Sequence, residues 1–109
     1  MFRTEKQRRK LCSNCPIAKV ASIIGDSNTM LIVRDLLRGP KRFGDLESSL
    51  SGISSRTLTK KLSELLNSGT IKRKEFKEKP PRVLYSLTKK GLGLHGIAEA
   101  MRKYGEKHL

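Results

Sequence analysis

Tryptophan is absent from the 109 residues, and the few other aromatics, Phe2, Phe43, Phe76, Tyr85 and Tyr104, are scattered rather than clustered. That spacing leaves no platform on which successive bases of a single strand could stack. Only two cysteines occur, Cys12 and Cys15, too few for a disulfide framework, although thiol chemistry stays open. As Cys12-Ser13-Asn14-Cys15 they supply two thiolates, half of a tetrahedral zinc site, so no metal is assigned. Apolar runs fall far short of the roughly 20 residues of a membrane span, and the basic N-terminus lacks the apolar core of a signal peptide. A cytoplasmic chain away from membranes is the expectation.

Catalytic signals are missing too. His95 and His108 stand far apart on one predicted helix with no paired carboxylates or nucleophile motif near them, which reads as surface or interface and not as an enzyme. No phosphate-cradling glycine loop is present, because Gly91, Gly93 and Gly96 belong to the last predicted helix and not to a strand-to-helix turn, and no cofactor is implied.

What remains scarce is negative charge: 10 Asp and Glu face 24 Lys and Arg, for a net charge of +14 and a pI near 10.3. So large an excess implies a polyanionic partner, with nucleic acid first. The length suits one domain with a modest core. Residues 1–11, with Arg3, Lys6, Arg8, Arg9 and Lys10, bury little and read as a basic flexible tail, leaving residues 12–109 for the domain.

The organising stretch is a helix predicted from Ser54 to Asn67. Leu58, Leu62, Leu65 and Leu66 recur at three- and four-residue spacing and form a stripe to be buried. Ser54 is placed to cap the first turn, and Gly69 to end the helix in a left-handed conformation. Arg56, Thr57, Lys60, Ser63 and Asn67 lie away from the stripe. A helix presenting arginine, lysine and threonine near its N-terminal end fits a DNA major groove. The residues expected to meet DNA there are Ser54, Ser55, Arg56, Thr57, Thr59, Lys60 and Lys61.

Upstream, Pro16 starts a helix through Ile17, Val20, Ala21 and Ile24 that stops at Gly25. A second helix, capped by Asp26 or Ser27, is apolar nearly all round through Met30, Leu31, Val33, Leu36 and Leu37, so it belongs in the core and ends at Gly39-Pro40. Phe43, Leu46 and Leu50 mark a third, and Ser51-Gly52-Ile53 turn into the helix already described; helix, tight turn, helix is a DNA-reading unit.

Past Gly69 the period becomes that of a strand. Val83, Tyr85 and Leu87 should pair with a strand from Ile71 to Lys77, with Pro80-Pro81 in the connection. Ile71 and Phe76 differ in parity, which predicts a bulge or an early end to pairing. Lys72, Arg73, Lys74, Lys77, Lys79, Arg82, Lys89 and Lys90 outnumber Glu75 and Glu78, so the hairpin is a positive arm, and Lys77, Lys79 and Arg82 at its tip are the expected phosphate contacts. Thr88 then caps one last helix through Leu92, Leu94, Ile97, Ala98, Met101 and Tyr104. Its glycines weaken it, so it needs support, for which a partner subunit is the obvious source.

The architecture expected is mainly α with a small β-hairpin, a winged helix-turn-helix. Here the sequence resembles the HxlR-type transcriptional regulators over about residues 12–109. The likeness rests on Cys15-Pro16, Leu36-Leu37, Gly39-Pro40, Arg42-Phe43, Gly52-Ile53-Ser54 with Leu58, and Gly69. It continues through Arg73, Pro80-Pro81-Arg82-Val83, Tyr85-Ser86-Leu87-Thr88, Gly91 and Tyr104-Gly105-Glu106. The resemblance implies a homodimer built through the terminal helices and seated on a pseudo-palindromic double-stranded DNA operator. It also implies a response to oxidants or electrophiles through Cys15, since several members respond at the matching cysteine. Independently, a helix start with Lys10 and Lys19 near in sequence favours the reactive thiolate, and Cys12 is a candidate resolving partner. Where the family usually has Gly-Lys-Trp, this chain has Asp26-Ser27-Asn28. Charge alone does not choose the nucleic acid, so an RNA-binding or ribosome-associated winged helix is the alternative. A protein-docking helix would want apolar residues in place of Arg56, Thr57 and Lys60.

Overall fold

A computed structural model describes residues 4–7 and 15–109. Most of the expected basic tail, and Cys12, lie outside the described residues; residues 5–7 form one helical turn, closed by reciprocal bonds between Thr4 and Gln7.

Six helices and two strands follow: α1 (Pro16–Ile24), α2 (Ser27–Leu36), α3 (Phe43–Ser49), α4 (Ser55–Asn67), β1 (Ile71–Phe76), β2 (Arg82–Leu87), α5 (Lys89–Leu92) and α6 (His95–His108). Each start has a local cause. Pro16 opens α1, where its missing N–H costs nothing. The Asp26 carboxylate accepts the Thr29 amide at 3.0 Å and caps α2. Asp45 reaches back to the Arg42 amide at 3.0 Å and fixes the entry to α3.

Helix α2 is the hub, in contact with α1, α3, α4 and β2. Ile32 and Leu36 of α2 meet Leu46, Leu50, Leu58, Leu62, Leu65, Ile71 and Leu87 in the main core. A smaller cluster of Ile24, Met30 and Val33 is covered by Val20, Leu94, Ile97 and Ala98, and ties α1 and α6 to the hub. Leu31 turns away and is exposed, while Asp35 is buried with Arg34 Nε and Nη2 donating to its Oδ1 at 3.1 and 3.0 Å.

Two expectations are corrected. The hairpin has no bulge and pairs antiparallel in register from Ile71 opposite Leu87 to Phe76 opposite Arg82. Phe76 accepts the outer face because cations cover it there: Lys74 Nζ lies 5.0 Å and Arg82 Cζ 4.3 Å from its ring centroid. The strand also ends at Phe76, one residue before Lys77. Lys41 adds a bridge to Tyr85, with mutual backbone bonds of 2.9 and 2.8 Å, so the α2–α3 connection backs the hairpin.

The last helix is not continuous. Thr88 caps only α5, accepting the Gly91 amide at 3.2 Å, and the Leu94 amide then turns onto the Gly91 carbonyl at 3.0 Å before α6 starts. Gly91 and Gly93 make continuation cheap to interrupt, and the break drops Leu94 into the α1–α2–α6 cluster. Both histidines are exposed on α6, with the His108 ring 4.7 Å from that of Tyr104.

Candidate nucleic-acid interface

The two faces of α4 separate as its periodicity requires. Leu58, Leu62 and Leu65 are buried with Leu66 packed beside them, while Arg56, Thr59, Lys60, Ser63 and Asn67 are exposed. Capping is tight: the Ser54 hydroxyl accepts the Thr57 amide at 3.0 Å and donates to Thr57 Oγ1 at 2.9 Å. At the far end the amides of Gly69 and Thr70 turn back onto the carbonyls of Leu66 and Leu65 at 3.1 and 3.0 Å, and Gly69 takes φ +73°. A side chain there would be strained, which is why glycine ends this helix.

The residues expected to meet DNA divide into two groups. Arg56 and Lys60 have no ion-pair partner among the described residues, and both project from the first turns of α4 on the side opposite the leucines. Thr59 is exposed beside them. On the hairpin, Lys77 and Lys79 are exposed and likewise unpaired among the described residues.

Others are committed within the protein. Ser54 and Thr57 make the cap, and Ser55 Oγ donates to Glu47 Oε2 at 2.6 Å, strapping the start of α4 to α3. Lys61 leaves the expected interface: its Nζ lies 2.9 Å from Asp26 Oδ2 and 3.9 Å from Glu64 Oε2, and its side chain is only 18% exposed. Successive helical residues are separated by about 100°, enough to carry Lys61 from the face of Lys60 to the flank against α2. Arg82 is half-buried, with Nη2 3.2 Å from Glu78 Oε1.

Electrostatics mark the α2–α4 seam. The Thr29 amide, and after it Lys61, hold the Asp26 carboxyl below its ordinary value. A depressed carboxylate adds stability that is present at neutral pH and lost as the pH falls through its folded value. None of Glu47, Asp26 or Glu78 was read from the sequence as a partner of these cations or hydroxyls. Asp26 signalled only its cap.

The hairpin is bolted to the end of α4. Thr88 Oγ1 donates to the Gly69 and Thr70 carbonyls at 2.6 and 3.1 Å, and Lys90 Nζ to the Ser68 carbonyl at 2.6 Å. The root of the wing is therefore fixed to the C-terminal end of the helix that carries Arg56 and Lys60. This is the geometry of a winged helix-turn-helix, and a family model described as HxlR-like helix-turn-helix matches residues 23–109. The chain belongs to the HxlR-like helix-turn-helix family.

Membership places this HxlR-like chain among helix-turn-helix regulators of transcription. It is 39% identical over 95 residues to the HTH-type transcriptional regulator sll1512 of Synechocystis, covering 87% of this chain and 70% of that one. A solved structure described as a MarR-family transcriptional regulator from Porphyromonas gingivalis W83 superposes with a TM-score of 0.83 at 33% identity, covering 100% of this chain and 99% of that one. The redox regulator HypR in its oxidised form gives 0.82 at 32% identity, covering 87% and 98%. No helix among the described residues is long and apolar enough to cross a membrane.

The single free cysteine among the described residues, Cys15, is the N-cap of α1 and half-buried, with no side-chain cap bond. An apolar groove of about 640 Å³ runs between α1 and α6, lined by Ile17, Val20, Ile24, Met30, Ile97 and Met101. Ile17 is 80% exposed, Met101 52% and Tyr104 60%.

Proposed function

We propose that this protein acts as a homodimer on a pseudo-palindromic double-stranded DNA operator, with α4 in the major groove and the hairpin on the flanking backbone. The observation that carries the reading is the pair of cations, Arg56 and Lys60, unpartnered among the described residues, on a capped helix whose other face is locked into the core. Arg56 reads guanine through its two-pronged donor edge; Thr59 and Lys60 serve neighbouring bases or phosphates. Lys77 and Lys79 position the complex without specifying sequence. The apolar face of α1 and α6, with Ile17, Met101 and Tyr104 in water, is the surface on which a second copy would close.

Selection from random duplexes tests this directly. A two-fold symmetric consensus is expected, its half-sites about 10 to 11 base pairs apart or at a multiple. An asymmetric consensus, or enrichment of single strands, would overturn it. In the same assay, replacing Lys77 and Lys79 together by alanine should weaken all duplexes alike. Each lost contact should flatten the dependence of log K on log salt by about 0.9. An unchanged slope would take the wing off the DNA.

We further propose that Cys15 makes the protein thiol-responsive. The likeness to the redox regulator HypR supports this, as does the thiol's place at the start of the helix that walls the α1–α6 groove. Oxidation or alkylation there would displace α1 against α6 and so change the spacing of the two reading helices. Mild peroxide or quinone should lower operator affinity in wild type and leave Cys15→Ser unaffected. Equal affinity in both, with mass spectrometry showing Cys15 modified, would end the sensor role.

A further inference from the structure

Among the described residues, Arg82 is the one tip cation of the wing that has an ion-pair partner. It opens β2 directly across from Phe76, so the two side chains share the outer face of the hairpin. The guanidinium lies over the Phe76 ring, its Cζ 4.3 Å from the centroid. Lys74, two residues back along β1 and therefore on the same face, stands 5.0 Å from the same centroid. Just past the strand, the Glu78 amide donates to the Phe76 carbonyl at 2.9 Å. That tight turn folds the chain back and brings Glu78 Oε1 to 3.2 Å from Arg82 Nη2. Arg82 Nε is buried with no acceptor among the described residues. An aromatic ring and a carboxylate thus hold one arginine at the point where the expected DNA backbone passes.

We propose that Glu78 is an internal stand-in for a DNA phosphate, and that it sets how much the wing contributes to affinity. The inference rests on the wing–duplex contact proposed above. A guanidinium offers a carboxylate and a phosphate the same donor edge, so Glu78 and the backbone compete for one site. The pair is poised to exchange: both side chains are partly in water, 33% exposed for Arg82 and 50% for Glu78, and an ion pair in that setting is weak. Phe76 is the positioning residue. Its ring keeps the guanidinium extended toward the tip, so Arg82 passes from carboxylate to phosphate without a search through rotamers. Lys77 and Lys79 have no such competitor among the described residues and engage at once, whereas Arg82 engages only where a phosphate comes close enough to displace Glu78. The wing therefore resists loose, distant encounters more than its count of cations suggests.

The test compares two substitutions that remove the same charge from the same hairpin. Glu75 lies 3.8 Å from Arg73 on β1, so E75Q controls for the general gain in positive charge. Affinity for a random duplex is titrated against salt for wild type, E75Q, E78Q, R82A and the E78Q/R82A double variant. E78Q should bind about 2- to 5-fold more tightly than E75Q, the range expected for release of an exposed pair. Its salt slope should be steeper by about one contact. Both gains should vanish when Arg82 is also replaced. Equal behaviour of E78Q and E75Q, or a gain that survives in the double variant, would overturn the proposal, because Glu78 would then act only through overall charge. Weaker binding by E78Q would overturn it as well and make the pair a brace for the tip. If wild type itself binds no duplex, the proposed function fails first and this inference falls with it.

Discussion

Arg56→Ala is expected to weaken binding to the selected operator by about 1 to 3 kcal/mol, roughly 5- to 150-fold, and to weaken binding to random duplex far less. The asymmetry is the point of the experiment. Arg56 is exposed on the first turn of α4 and has no acceptor among the described residues, so its removal breaks nothing inside the protein and the fold should not change. Two residues earlier the Ser54–Thr57 cap fixes the helix start, which keeps the Arg56 backbone in place in the variant. Any loss then reports what the guanidinium does on DNA. A base-reading arginine loses most where its guanine is present, while a phosphate-binding one loses equally everywhere. Anisotropy titrations on both duplexes at one salt concentration separate the two, and equal losses would remove Arg56 from the reading face.

Gly91→Ala is expected to destabilise the fold by about 1 to 3 kcal/mol, although alanine in a helix is ordinarily favoured over glycine by up to about 1 kcal/mol. Sterics win here because a Cβ at Gly91 would stand 2.2 Å from the Thr70 carbonyl oxygen, 2.9 Å from Leu87 Cδ2 and 3.2 Å from Leu87 Cβ. The first neighbour is backbone, held by bonds from the Thr88 amide and Thr88 Oγ1, and cannot swing aside. Relief requires α5 to separate from the root of the hairpin, which would also loosen the wing from α4. Urea denaturation measures the loss. Gly44→Ala is the control: a Cβ there meets nothing within 4 Å, so it should be neutral or mildly stabilising. If Gly91→Ala is as stable as wild type, the close packing of α5 on the wing root is not what holds these elements together.

The core and helix α4 were legible because their signals are local or periodic. Leucines at helical spacing identified the buried face of α4, Ser54 and Gly69 its two ends, and Asp26 and Pro16 the starts of α2 and α1. Each acts within three or four residues of itself, so neighbours in sequence suffice to infer it. The excess of positive charge needed no fold at all.

Partner choice among charged and polar side chains was decided only by tertiary structure. Lys60 and Lys61 are adjacent in sequence and alike in chemistry, yet among the described residues one has no ion-pair partner and the other is bound to Asp26, because Asp26 at the start of α2 lies on one flank of α4. Ser55 is taken by Glu47, which α3 brings to the start of α4, and Arg82 meets Glu78 because the turn at the hairpin tip folds the chain back. The parity of Ile71 and Phe76 suggested a broken ladder, since alternation assumes that an apolar residue must face the core. It pairs regularly because Arg82 and Lys74 give the outward ring a cover of its own. Likewise the glycines weakened the expected last helix without saying where it would divide; the position was fixed by the close approach of Gly91 to Thr70 and Leu87 and by the packing of Leu94 against the smaller cluster. Periodicity sets which face of an element turns inward, whereas a long polar side chain takes whichever partner the packed elements bring within reach.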